Sequence, residues 1–155
     1  MRIAFGADHA GFALKEHLVQ TATGLGHAVA DIGTHGPESV DYPDFAEAAA
    51  KLVSSGDVDL GVLICSNGVG ISIAANKVPG IRCALCHSSW GASRARQHAD
   101  ANMLALGAWE IGIGVADEVL VAFLTSGFEG GRHERRVSKM MDIERRAMGT
   151  EAAHR

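Results

Sequence analysis

The sequence predicts an α/β protein, a three-layer sandwich with a five-stranded parallel sheet between two layers of helices. Three observations predict it. Strand-like and helix-like stretches alternate along the whole chain. Several strand candidates are apolar throughout, as expected of strands covered by helices on both faces. No repeat, low-complexity tract or linker interrupts the alternation, so the 155 residues read as one domain with its own core.

In order, strand Ile3–Gly6 (IAFG) leads into helix Phe12–Leu25. Strand Ala28–Ile32 (AVADI) is followed by helix Pro43–Ser54 across a loop rich in Gly, Pro and Ser. Strand Leu60–Cys65 (LGVLIC) is an unbroken apolar run, and helix Val69–Asn76 starts beyond two glycines. Strand Ile81–Cys86 precedes helix Ser88–His98, and strand Met103–Leu106 (MLAL) precedes helix Gly114–Ser126. A last helix spans Arg132–Met148. Right-handed crossovers then predict a Rossmann-like sheet with strand order 2-1-3-4-5. In such sheets ligands sit beyond the carboxyl ends of the strands where the order reverses, here between strands 1 and 3. The segments that follow those strands are GADHAG (residues 6–11) and CSNGVG (residues 65–70).

The stretch ICSNGVGISIAANK therefore lines the expected crevice, and several chemistries compete for it. A P-loop needs Gly-Lys-Ser/Thr, which does not occur. A dinucleotide fingerprint needs a third small residue, where this chain has Ile73. A cysteine phosphatase needs an arginine where this chain has Ile71. An anion-binding turn survives, with backbone N–H groups converging at a helix start on a phosphate or an oxyanion. The same field would make Cys65 a better base or nucleophile, unless that cysteine only packs. Asp8 and His9 reach the same crevice or cap the first helix. His98 ends the fourth helix as a catalyst or as a charge partner of the helix terminus. Arg132 and Arg136, four apart after FEGG, share a helical face and form either a phosphate clamp or a solvated basic patch. Together these groups suit proton transfer next to a carbonyl in a phosphorylated substrate, with no constellation of metal ligands and no cofactor.

Composition narrows the partners. A net charge of −4 argues against a nucleic-acid groove but leaves small anions open. The apolar runs are far shorter than the ~20 residues of a membrane span, and the N-terminus enters a strand at once with no leader pattern. A cytosolic, reduced protein is expected, consistent with three cysteines. Cys83 and Cys86 form a CxxC, but three apart on a strand they point to opposite faces and should not meet. Aromatic residues at 5% and two tryptophans leave little with which to stack a flavin on the same kind of sheet. A non-catalytic binding or regulatory module would be expected to lack Cys65 or His98, and both are present.

IAFGADHAGFALK, DYPDFA, LICSNGVGISIAANK, RQHADANMLALG and FEGGRHERRV occur in this order. Through them the chain resembles the ribose-5-phosphate isomerase B family, which includes galactose-6-phosphate and allose-6-phosphate isomerases, from about residue 2 to residue 146. The resemblance implies a metal-independent aldose–ketose isomerisation through a cis-enediolate, on ribose 5-phosphate or another sugar phosphate. By position it makes Cys65 the base between C2 and C1. Ser66, Asn67, Gly68, Val69 and Gly70 would form the oxyanion loop, and His98, with Ser66 nearby, would assist ring opening. Asp8 and His9 would bind sugar hydroxyls or phosphate, Tyr42 would flank the pocket, and Arg132 with Arg136 would hold the phosphate. It further implies a homodimer or tetramer with shared active sites, the last helix reaching across. Ala99 and Trp109 depart from the asparagine and arginine common in the family, which leaves the preferred sugar open.

Overall fold

The computed structural model describes residues 1–149; residues 150–155 of the expected single domain lie outside the described residues. The elements run β1 (Arg2–Ala7), α1 (Phe12–Gly24), β2 (Ala28–Gly33), α2 (Tyr42–Ser55), β3 (Leu60–Cys65), α3 (Val69–Ala75), β4 (Cys83–Leu85), α4 (Ser89–Ala99), β5 (Met103–Gly107), α5 (Ile113–Thr125) and α6 (Arg132–Ala147). All strand pairings are parallel. Local chemistry sets the helix ends. Pro43 sits in the first turn of α2, and Gly56 closes that helix in the left-handed region. Ser88 Oγ accepts the Gly91 N–H at 3.1 Å to start α4.

The strand order is β2-β1-β3-β5-β4, so the last two strands are exchanged relative to the expected 2-1-3-4-5. Burial explains the exchange. Every residue of β5 is buried, so it takes the inner place beside β3, which is also buried throughout. Strand β4 keeps only three half-buried residues, shorter than the expected Ile81–Cys86, and such a short strand belongs at an edge. The switch point between β1 and β3 is unaffected.

The exchange also decides which face carries α4. The connection β4–α4–β5 runs back toward the sheet centre, so a right-handed crossover puts α4 opposite α3. Accordingly α1, α4 and α5 cover one face, around Phe5, Leu18, Leu104, Leu120 and Phe123. Helices α2 and α3 cover the other, around Ala49, Leu63, Ile71 and Met103. Cys83 packs toward the second cluster and Cys86 lies in the first, so the CxxC thiols straddle the sheet and stay free. Burial pushes Cys83 up to about 12, with Cys86 adding to the effect, and burial alone pushes Cys86 up to about 11. Both are protonated and unreactive at neutral pH.

Helix α6 stands apart from this core. Among its residues only His133 is buried, while Met140 and Ile143 are exposed. It touches the body through Glu144, which accepts the Gly80 N–H at 3.0 Å, and through Met141, whose sulfur lies 3.5 Å from an Arg82 Nη1.

Candidate active site

The crevice at the carboxyl ends of β1 and β3 holds the expected loop. Cys65, the last residue of β3, is 3% exposed, and its sulfur faces the turn: Gly68 N donates to Sγ at 3.2 Å. Gly68 has φ 77°, which favours glycine, and a Cβ there would lie 2.9 Å from the Leu106 backbone. The turn is thus pinned against β5 and can be formed by no larger residue without moving the strand. Gly107 does the same from the other side, since a Cβ on it would lie 2.7 Å from the Asn67 carbonyl carbon. Gly107→Val is expected to lower activity at least ~10²-fold by displacing the loop donors while circular dichroism stays native. An active, stable variant would show that the loop tolerates that displacement.

The turn refines the expected donor set. Gly68 N–H is engaged by Cys65 Sγ, and Val69 N–H by Asn67 Oδ1 at 3.0 Å. Among the described residues the amides of Asn67 and Gly70 have no such partner and are left for an incoming oxygen. The Tyr42 ring stands over Gly70, whose added Cβ would meet Cζ at 2.6 Å, so Tyr42 walls the crevice. Ser66 ties the loop to the chain after β5, its carbonyl accepting the Trp109 N–H at 2.9 Å. Asp8 is buried beside β3, its N–H donating to the Ile64 carbonyl and its Oδ1 accepting the Gly11 N–H at 3.0 Å. His9 Nδ1 accepts the Val40 N–H at 3.3 Å, which draws the loop before α2 over the crevice. Asp8, His9, Tyr42 and the Cys65–Gly70 loop are therefore one constellation.

His98, Arg132 and Arg136 form another, at the opposite edge of the sheet. His98 lies in the last turn of α4, which delivers the chain to the start of β5. Arg82, just before β4, binds the Ala99 and Asp100 carbonyls there at 3.1 and 2.9 Å. Cys65 ends the six-residue β3, which spans about 20 Å. A single chain therefore keeps its cysteine and His98 about a strand length apart.

This second constellation contains groups that the sequence reading did not single out. The His98 and His133 rings stack in parallel, centroids 4.0 Å apart. Glu129 Oε2 lies 3.7 Å from His98 Nε2 and 3.8 Å from His133 Nε2. Arg132 Nε donates toward His133 Nε2 at 3.4 Å, and Arg94 Nη1 lies 3.4 Å from His98 Nε2. Burial, then His98, Arg132 and Arg136, hold His133 below the usual histidine range, outweighing Glu129. No carboxylate pairs with Arg132 or Arg136 among the described residues. Glu129 and His133 lie inside FEGGRHERRV, and Arg94 is one helical turn before His98, so spacing could have flagged all three.

The departures fall one at each edge. Trp109 is exposed beside Ser66. Ala99 lines a cavity of about 300 Å³ with Arg82, Met140, Met141 and Glu144. No helix among the described residues is long and apolar enough to cross a membrane.

The sequence matches the Ribose/Galactose Isomerase family over residues 3–140. It is 46% identical over 145 residues to ribose-5-phosphate isomerase B of Escherichia coli strain K12, covering 94% of this chain and 97% of that one. The structure of Clostridium thermocellum ribose-5-phosphate isomerase B is similar at a TM-score of 0.94 and 48% identity, over 95% of this chain and 99% of that one. That of the Mycoplasma genitalium enzyme with bound ribulose-5-phosphate is similar at 0.89 and 39%, over 93% and 96%. With its fold, its glycine loop and its motifs in register over nearly the full length of these relatives, the chain belongs to the ribose/galactose isomerase family.

Proposed function

We propose that the chain interconverts ribose 5-phosphate and ribulose 5-phosphate through a cis-enediolate, in active sites that each draw on two copies. The observation that carries this reading is the Cys65 sulfur held at 3.2 Å from Gly68 N, inside the glycine turn at the carboxyl end of β3. A sulfur base and oxyanion donors then meet the same carbon–oxygen unit. Arg132 and Arg136 hold the phosphate, and Asp8 and His9 hold the sugar hydroxyls.

The chemistry begins with the furanose. His98 serves ring opening: the O1 hydroxyl loses its proton, C1=O1 forms, the C1–O4 bond breaks and O4 takes the proton. The Cys65 thiolate then removes the C2 proton. That C–H electron pair becomes the C1–C2 double bond, and the carbonyl pair moves onto O1. The amides of Asn67 and Gly70 receive this charge, as preorganised donors worth ~2.7–4 kcal/mol each in comparable sites. As the O2 proton passes to O1, sulfur returns its proton to C1 and C2=O2 results. No atom is gained or lost.

The positions of Cys65 and His98 support a second copy in this reading. Cys65 and His98 lie at opposite edges of one sheet, and both must reach one five-carbon substrate. A two-fold dimer satisfies this when the amino edge of one copy meets the carboxyl edge of the other. Exposed Met140 and Ile143 on α6 supply apolar surface for that contact.

A panel of pentose, hexose and tetrose phosphates, assayed for aldose–ketose interconversion, tests the substrate. Ribose 5-phosphate is expected to give the highest kcat/KM. A hexose phosphate turned over faster would reassign the substrate while leaving the reaction class. Arg136→Ala is expected to raise KM at least ~10-fold, because a charge-assisted hydrogen bond contributes ~1.5–3 kcal/mol. An equal loss on an unphosphorylated sugar would remove the clamp.

A further inference from the structure

We infer that Val40 is a positioning residue for His9, its main-chain N–H fixing the tautomer in which His9 meets the sugar; this rests on the reading above. His9 Nδ1 accepts the Val40 N–H at 3.3 Å. A main-chain N–H can only donate, so Nδ1 presents its lone pair there and the neutral ring carries its proton on Nε2. His9 is exposed, and among the described residues its only hydrogen bond is the one at Nδ1. The nitrogen that Val40 occupies and the nitrogen offered to substrate are therefore different atoms.

Both partners are held in place. His9 lies in the turn from β1 to α1, which Asp8 closes: its carbonyl and its Oδ1 accept the Gly11 N–H at 3.1 and 3.0 Å. Val40 lies near the end of the loop from β2 to α2. That loop is tied at its start as well, by the Thr34 N–H on the Ala7 carbonyl at 2.7 Å and the Gly33 N–H on Asp31 Oδ1 at 2.9 Å. Ala7 and His9 thus grip the two ends of one loop. Two residues beyond Val40 the chain reaches Tyr42, the wall over Gly70.

The chemistry needs this orientation. A sugar hydroxyl both donates and accepts. The Asp8 carboxylate supplies the acceptor and His9 Nε2–H supplies the donor, so two neighbours in sequence match the two halves of a hydroxyl. In the other tautomer Nε2 would be a second acceptor competing for the same hydroxyl proton, and Nδ1–H would face the Val40 N–H. With its lone pair turned to Val40, His9 binds substrate and does not serve as a base.

The tautomer can be read directly. Long-range 1H–15N NMR at alkaline pH, where imidazoles are neutral, is expected to show His9 as the Nε2–H form, its signals identified by their loss in His9→Ala. In Val40→Pro, which lacks the N–H, both tautomers should appear. That variant is expected to raise KM for ribose 5-phosphate ~3–10-fold with kcat little changed, the effect of one neutral hydrogen bond. It should add little to the loss in His9→Ala, because both variants act on the same donor. Val40→Ala keeps the N–H and should match wild type in both measurements. A wild-type His9 with its proton on Nδ1 would overturn the inference. So would an unchanged KM in Val40→Pro, a fall in kcat instead, or losses that add in the double variant. Should Val40→Pro not fold, the wild-type tautomer decides alone. Failure of the underlying reading would look different, because the wild-type protein would then not convert ribose 5-phosphate, whichever nitrogen of His9 carries the proton.

Discussion

Mixing the Cys65→Ala and His98→Ala proteins, each inactive alone, is expected to restore isomerase activity to about a quarter of wild type after subunit exchange. The expectation comes from the sheet. Cys65 closes β3 at its carboxyl end and His98 precedes β5 at the amino end, so the proposed site takes the two from different chains. In a mixed dimer one site receives an intact cysteine from one copy and an intact His98 from the other. The opposite site receives neither. Random reassociation makes about half the dimers mixed, and half their sites are whole. The measurement is activity against mixing ratio, with native mass spectrometry counting mixed dimers. Mixed dimers without activity would mean that each site is built within one chain.

Cys65→Ala alone should lower kcat ~10²–10⁴-fold, the usual contribution of a positioned base. Exchange of the ribulose 5-phosphate C1 hydrogen should fall in parallel. Binding of the sugar phosphate should survive, since Arg132 and Arg136 lie on the other half-site. The side chain is small and its sulfur accepts one N–H, so the melting temperature should move little. A variant that kept its turnover would shift the base to another group of the crevice. Asp8 is the first candidate, buried beside the same strand end.

Much of this site was legible along the chain because its parts are local. LICSNGVG carries a strand end, a left-handed glycine and a helix start within eight residues, and each depends on its neighbours alone. Arg132 and Arg136 are one turn apart on a single helix. Other features depended on contacts between distant segments. Gly107 is essential to the loop only because β5 lies beside β3. His133 looked like one more polar residue of a basic helix until α6 laid it against the His98 ring. Asn67 and Gly70 could be told from Gly68 and Val69 as donors only once the partners of the latter two were visible.

The amino-acid sequence by itself determined the element list and the turn that holds Cys65, since residue preferences and spacing act over a few residues. Tertiary structure decided the strand order and hence the geometry of the chemistry. Strands compete for places buried on both faces, a contest settled by the whole chain, and fully buried β5 displaced short β4 to the edge. That outcome sent α4 to the face of α5 and left His98 a strand length from Cys65.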